Sequence, residues 1–358
     1  MSEPALAAFA LGLPKVELHV HLEGSIQPRT LLELARRRRV SLPADDAAGL
    51  SRWFQFQGFP HFIEVYLACS SCLVEPEDFH RLALDFLAEQ ARQNVAWSEV
   101  HFSISTHLAG GRDGEAIRQA LAEAAAEGER RWGVRVGWIP DIVRNSPLER
   151  ADWTVEWALA GPRRGASGEV VAFGLGGMEA GYPPDPFVAH YQAVAAAGLH
   201  RVAHAGEHGG PESIRAALEL LGAERIGHGV RAVEDPGLVA GLARLGIPLE
   251  VSPSSNVCLG VSPALAAHPF EALRKAGVAV SINSDDPPLF NTTLTDEYLR
   301  LAGAFGYGPR ELTELALSAI DHSFLPPATK LALAERCRAR AEELSLELFG
   351  RSLDLQPA

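Results

Sequence analysis

No apolar run in this 358-residue chain reaches the ~18 residues that suggest a membrane span. The apolar start, Met1 to Leu13, lacks a basic leader and a signal peptide's layout, so the chain is expected in the cytoplasm, away from membranes. Cysteine is sparse. Cys69, Cys72, Cys258 and Cys337 are too few and too scattered for a disulfide scaffold, which fits a reducing compartment. Positive charge is short as well: the formal net charge is -13, and the one basic run, Arg36 to Arg39, follows an apolar helical stretch whose end it solvates. Phosphate binding needs a basic face, so a nucleic-acid partner is excluded. No Gly-rich dinucleotide fingerprint follows an early strand, which weakens an open doubly wound sheet. No low-complexity tract, internal linker or long repeat divides the chain.

What is present suits a large core, with 47% hydrophobic and only 22% charged residues. Length alone would allow two or three ordinary domains, but barrels of this size commonly fold as one. Eight short β-rich runs recur: Lys15–His21, Val95–Phe102, Val134–Ile142, Glu169–Leu175, His200–Ala205, Glu224–His228, Ile247–Ser252 and Val278–Asn283. Helical periodicity fills the gaps, at Pro76–Gln93, Glu115–Trp132, Pro186–Ala197, Pro211–Leu221, Pro236–Leu245 and Ala264–Ala276. Several of these helices begin with Pro and stop just before Gly. The alternation predicts an α/β fold, a TIM (β/α)8 barrel in a single domain over residues 1–358, closed by helices at Pro309–Ile320 and Ala328–Leu348. The segment Ala35–Val74 exceeds one βα connection and carries Trp53, Phe54, Phe56, Phe59, Phe62 and Tyr66. It reads either as an aromatic lid at the barrel mouth or as a subsidiary core packed on the barrel.

The first strand reads Lys-Val-Glu-Leu-His-Val-His-Leu-Glu-Gly. Residues two apart share a face, so His19 and His21 point one way while Val16, Leu18, Val20 and Leu22 point the other. Two inward imidazoles at a strand's C-terminal end are placed like metal ligands, whereas one alone would read as a hydrogen-bonded core residue. Later strands end in His204-Ala-Gly-Glu207, Gly-His228-Gly and Asn-Ser-Asp285-Asp286-Pro-Pro. Barrels place their active sites at this face. Of thirteen histidines, four sit at such ends beside carboxylates, a coincidence that chance would scatter. Neutral imidazoles with one carboxylate suit a catalytic zinc that keeps a position open for water. Glu207 and His228 are available for proton transfer and for orienting that water. Asp285 and Asp286 point opposite ways in a strand, so a turn at Pro287-Pro288 is needed for both to reach the site.

These residues resemble the adenosine deaminase family of the amidohydrolase superfamily over nearly the whole chain. The resemblance rests on Pro14-Lys-Val-Glu-Leu-His-Val-His-Leu-Glu-Gly24, His204-Ala-Gly-Glu207, Arg225-Ile-Gly-His-Gly229, Ser252-Pro-Ser-Ser-Asn256, Ser284-Asp-Asp-Pro287 and Ser323-Phe-Leu-Pro326, in that order. It implies one zinc held by His19, His21, His204 and Asp285. It implies that Glu207 protonates the purine N1, and that His228 orients the attacking water and takes up its proton. Asp286 would bond N7, and the Gly177 N–H, within Gly174-Leu-Gly-Gly-Met-Glu179, would meet N3. The implied partner is a small-molecule purine that loses its 6-amino group, and no oligomeric state is specified. Glu23 stands where well-known adenosine deaminases carry an Asp on the ribose, and adenine deaminases resemble this chain there. Phe59-Pro-His-Phe-Ile-Glu-Val-Tyr66 and Gly174–Gly181 are similar to a bacterial branch that includes aminodeoxyfutalosine deaminases. The implied substrate is therefore a 6-aminopurine nucleoside, with the free base as the alternative.

Other readings carry less. Cys69-Ser-Ser-Cys72 lacks the preceding Pro of the other zinc deaminase class and sits in a helix-like apolar stretch, where cysteine is a small core residue. Cys258 is expected to pack or to line the pocket. A barrel hydrolase with two lysine-bridged metals needs a lysine at a strand end, and Lys15, Lys275 and Lys330 are elsewhere. A catalytically silent purine-binding relative would require neither Glu207 nor His228. His61, His101, His107, His208 and His268 are expected in local hydrogen bonds or solvent, Glu99 and Glu250 in a barrel salt bridge, and Glu179 and Ser252 beside the site.

Overall fold

The computed structural model describes residues 3–56, 58–162 and 166–355. All eight β-rich runs form strands: β1 (Lys15–His21), β2 (Val95–Phe102), β3 (Arg135–Val143), the pair β4 (Glu169–Val170) and β5 (Ala172–Gly176), β6 (His200–Ala205), β7 (Arg225–His228), β8 (Leu249–Val251) and β9 (Val280–Ile282). The fourth run is interrupted at Val171, so it counts twice. Neighbours pair in parallel in the order β1-β2-β3-β5-β6-β7-β8-β9, with β4 on β3. The ring comes nearly to closure through a parallel bridge between Val20 and Asp285. There the His21 N–H donates to the Asp285 carbonyl at 2.8 Å and the Asp285 N–H to the His19 carbonyl at 3.2 Å. This is the expected α/β barrel, and closing it brings the end of the last strand onto the histidines of the first.

The helices follow the sequence punctuation. Pro211–Leu221 ends at Gly222, and Pro236–Leu245 is capped by Asp235 and ends at Gly246, both glycines being left-handed (φ 60° and 64°). One expected helix is corrected. Ala264–Ala276 divides into a 3-10 turn, Leu265–Ala267, and a short helix, Phe270–Lys275. Pro269 lacks an N–H and pushes His268 into extended backbone, which breaks the run. Likewise a 3-10 turn, Asp185–Phe187, precedes Val188–Ala196. The apolar start is a helix, Glu3–Gly12, that buries Phe9 and Ala10. Arg38, within the basic run, reaches Asp78 at 2.6 Å and so does more than solvate its helix.

The long segment after β1 folds as three helices, Pro28–Arg38, Ala47–Trp53 and Phe59–Ser71. Phe54 and Phe62 are buried in the main apolar core, while Phe59 and Tyr66 pack partly buried against it. No helix among the described residues is long and apolar enough to cross a membrane.

Candidate active site

Strand ends bring the ionisable groups together. His19 and His21 come from β1, His204 from β6 and His228 from β7, and Asp285 and Asp286 follow β9. His21 Nε2 lies 3.2 Å from His204 Nε2 and 3.3 Å from Asp285 Oδ1, which is 3.6 Å from His19 Nε2. Both Asp285 and His228 adopt left-handed backbone (φ 64° and 60°), an uncommon conformation that clusters at functional sites. At Asp285 this turn, rather than Pro287-Pro288 alone, lets both carboxylates reach the cluster.

For two of the rings the far side fixes what faces the cluster. His204 Nδ1 lies 3.0 Å from the Leu175 carbonyl, which can only accept, so the proton sits on Nδ1 and Nε2 presents a lone pair. His19 Nδ1 donates to Glu250 Oε2 at 2.8 Å, and its buried Nε2 has no hydrogen-bond partner among the described residues. Lone pairs and a carboxylate oxygen turned on one another repel unless a cation lies between them. Ligand atoms of His19, His204, His228 and Asp285 lie within 4.8 Å of one another. His21 Nε2 reaches the same cluster at His204 and Asp285, so imidazoles and one carboxylate that fit a catalytic zinc are gathered here, with His228 as close as the expected ligands.

The environment also divides the two aspartates. Burial opposes its charge, yet the rings of His19 and His21 beside it hold Asp285 well below the usual carboxylate range. Burial, then the neighbouring Asp285 charge, pushes Asp286 well above it. The two neighbouring carboxyl groups are thus pushed in opposite directions.

Glu207 sits on the turn after β6, whose backbone Glu179 gathers. The N–H groups of Gly206, Glu207, His208 and Gly209 all donate to Glu179, at 2.6, 3.1, 2.8 and 2.8 Å. Gly206 is left-handed (φ 69°), and a Cβ there would lie 2.4 Å from Ile214 Cδ1, so a side chain would be strained and would have to displace Ile214. Burial opposes ionisation of Glu207, but His228 and His208 hold its carboxyl below the usual range. His208 Nδ1 lies 3.1 Å from Glu207 Oε2. His228 Nε2 stands 3.9 Å from both Glu207 Oε1 and Asp285 Oδ2.

A cavity of about 290 Å³ opens onto this cluster. His21, His204, Glu207, His228, Asp285 and Asp286 line it, as does Gly177, where a Cβ would meet Asn145 Oδ1 at 2.6 Å. Phe59, Phe62, Ile63 and Tyr66 form an aromatic and apolar wall. Ser103, Thr106, Asn145 and Arg150 add polar groups from the segments after β2 and β3. The segment offered as either lid or subsidiary core is thus both a cavity wall and part of the core.

Glu23 is placed differently from the expectation. Its carboxylate is buried, with Oε1 accepting from the Ser103 N–H (3.0 Å) and His107 Nε2 (3.1 Å), and Oε2 from the Tyr66 hydroxyl (3.1 Å). Both oxygens are occupied, and Tyr66 and Ser103, not Glu23, line the cavity. Burial opposes its charge, but His107 holds its pKa low. His107 is therefore a buried partner rather than a loop residue. Cys258 is exposed, and its neighbour Leu259 faces the cavity instead. Glu99 and Glu250 do form the expected barrel salt bridge, joined through Arg225 at 2.5 and 2.6 Å.

Two arrangements had no clear sequence signal. His101 Nδ1 bonds Asp141 at 2.9 Å, and Asp141 Oδ2 stands 4.0 Å from His21 Nδ1. A buried chain runs from His268 Nε2 to Asn256 Oδ1 (3.1 Å) and from Asn256 Nδ2 to His228 Nδ1 (3.2 Å). The Ser-Pro-Ser-Ser-Asn motif marked Asn256, but nothing local linked it to His268 or His228.

A family model described as adenosine deaminase matches residues 14–340. An aminodeoxyfutalosine deaminase of Streptomyces avermitilis is 41% identical over 329 residues, covering 92% of this chain and 91% of that protein. The crystal structure of an adenine deaminase from Arthrobacter aurescens superposes with a TM-score of 0.86 at 33% identity, covering 91% of this chain and 98% of that one. An amidohydrolase from Burkholderia ambifaria, with bound Zn, superposes with a TM-score of 0.88 at 27% identity, covering 97% and 95%.

Proposed function

Because the chain belongs to the adenosine deaminase family, and so is a hydrolytic deaminase acting on a C–N bond, we propose that its substrate is a 6-aminopurine nucleoside. The substrate is adenosine or an adenosine-like compound such as aminodeoxyfutalosine, and the products are the 6-oxopurine and ammonia. Residues 1–358 act as one unit, consistent with one large apolar core cluster that draws residues from Phe9 to Leu353.

His19, His21, His204 and Asp285 are the residues that would hold one zinc. Zinc bound there supplies Lewis acidity, which brings the pKa of water from 15.7 toward ~7. The remaining work falls to the chain. Asp286, its pKa raised by burial and by the neighbouring Asp285 charge, donates to the purine N7. The Gly177 N–H meets N3. Glu207 is a carboxylate in the open pocket, so it delivers a proton to N1 only after taking one up. That proton makes C6 more electrophilic as water attacks it. His228 faces the attacking oxygen, between Glu207 and Asp285.

The cavity's reach carries the choice of a nucleoside. Beyond the groups assigned to the base, Thr106, Asn145 and Arg150 offer a hydroxyl, an amide and a guanidinium that a free base does not use. The test is ammonia release, with ultraviolet spectra, over adenine, adenosine, deoxyadenosine, N6-methyl-AMP and aminodeoxyfutalosine. Nucleosides are expected to turn over well ahead of adenine. A preference for adenine would instead favour the free-base reading, which the likeness to an adenine deaminase supports. No turnover on any of the five would overturn deamination of this substrate class and favour another hydrolase reaction or a catalytically silent relative.

A further inference from the structure

The direction of the buried chain behind His228 is set by a group that cannot reverse. The Phe270 backbone N–H donates to His268 Nδ1 at 3.1 Å. A nitrogen receiving that proton carries none of its own, so His268 bears its proton on Nε2. That Nε2–H points at Asn256 at 3.1 Å, which requires the amide oxygen there. The amide NH2 of Asn256 is then turned to His228 Nδ1, at 3.2 Å, and donates to it. All three side chains are buried, at 0 to 4% exposure, so water offers no competing partner. Burial, with His228 adding to it, lowers the pKa of His268 to about 4, which keeps that ring neutral. The opposite amide orientation would set two N–H groups against each other at His268.

We infer that Asn256 and His268 fix the tautomer of His228, so that its cavity-facing Nε2 carries the proton and serves as a hydrogen-bond donor to the attacking oxygen. This rests on the proposed deaminase reading and revises one role that the family resemblance implies, proton uptake by His228. A neutral His228 with its proton on Nε2 and a donor held against Nδ1 has no free lone pair. It holds and steers the attacking water but does not take up its proton. The water's proton passes to a carboxylate facing the same nitrogen, Asp285 Oδ2 or Glu207 Oε1, each 3.9 Å away. Asn256 and His268 are positioning residues that act through His228.

The tautomer can be read directly in the zinc-loaded enzyme labelled with 15N-histidine, by two-bond proton–nitrogen correlation. The His228 signals are identified by their loss in His228→Gln. The parent is expected to display a protonated Nε2 and an unprotonated Nδ1. Asn256→Asp offers only acceptors to both neighbours, so the His228 proton should move to Nδ1. With the donor lost at the reacting oxygen, kcat should fall ~10²-fold while KM and zinc content hold. His268→Phe, which removes the group orienting the amide, should give mixed His228 tautomers and covers the case in which Asn256→Asp does not fold. A parent enzyme with the proton on Nδ1, or an Asn256→Asp enzyme that keeps the parental tautomer, would overturn the inference. The spectra need no substrate, so a parent that is inactive on every purine would sink the proposed function alone.

Discussion

Glu179 accepts the Glu207 N–H at 3.1 Å, and with it the N–H groups of the three neighbouring residues on the same turn. A carboxylate on the loop after β5 thus fixes the backbone that aims the proposed acid of β6. Four donors on one anion are charge-assisted bonds, the stronger kind.

Replacing Glu179 by Gln puts an amide NH2 among those donors and leaves some unpaired. The turn should shift, and a displacement near 1 Å costs on the order of 10²-fold in kcat. Zinc content should stay at the parental value, because Glu179 bonds only the turn. Steady-state kinetics beside metal analysis separate the two effects, and a parental kcat would show that the turn holds itself.

Glu207→Gln should retain zinc yet lose roughly 10²- to 10⁴-fold in turnover, since an amide cannot carry the proton to N1. Full activity in that variant would remove Glu207 from the proposed chemistry.

His204→Ala should lose metal and activity together. Its Nε2 is aimed at the cluster by the Leu175 carbonyl, and alanine leaves no donor at that position. Zinc stoichiometry measured after dialysis checks this, and an unchanged ratio would strike His204 from the ligands.

Among the three histidines proposed to hold zinc, His21 alone has its Nδ1 short of a hydrogen bond, 4.0 Å from Asp141 Oδ2. A small closing movement on metal binding would complete it. Asp141→Ala should therefore weaken zinc ~10- to 100-fold in chelator competition. Gly174 pairs with Asp141 in register, and a Cβ there would stand 1.8 Å from Asp141 Oδ1. Gly174→Ala should therefore crowd the Asp141 carboxyl and weaken zinc in the same direction. Parental affinity in Asp141→Ala would end the idea.

Arg150 lines the cavity but is not among the groups assigned to the base. Arg150→Ala should raise KM for substrates with an N9 substituent and leave that for adenine nearly unchanged. Equal changes for nucleoside and base would place Arg150 elsewhere in the binding step.

The sequence alone determined the architecture and the strand ends that carry the proposed chemistry. Strand and helix periods are local, so Lys15–His21, Val95–Phe102 and His200–Ala205 were legible to the residue, and a (β/α)8 barrel then sends residues such as His204, His228 and Asp285 to one face. Local pattern failed where one residue overrode it, as Pro269 did in the expected helix Ala264–Ala276. What only the tertiary structure decided were partners and directions. Glu23 reads in sequence as facing the substrate, but Ser103 and His107, some eighty residues away, bond its Oε1, and Tyr66 bonds its Oε2. Glu179, Asp141, Asn256 and His268 join the site in the same way, from segments that meet only when the barrel closes. A hydrogen bond needs a donor and an acceptor aimed at each other within about 3 Å, and no one-dimensional spacing encodes that.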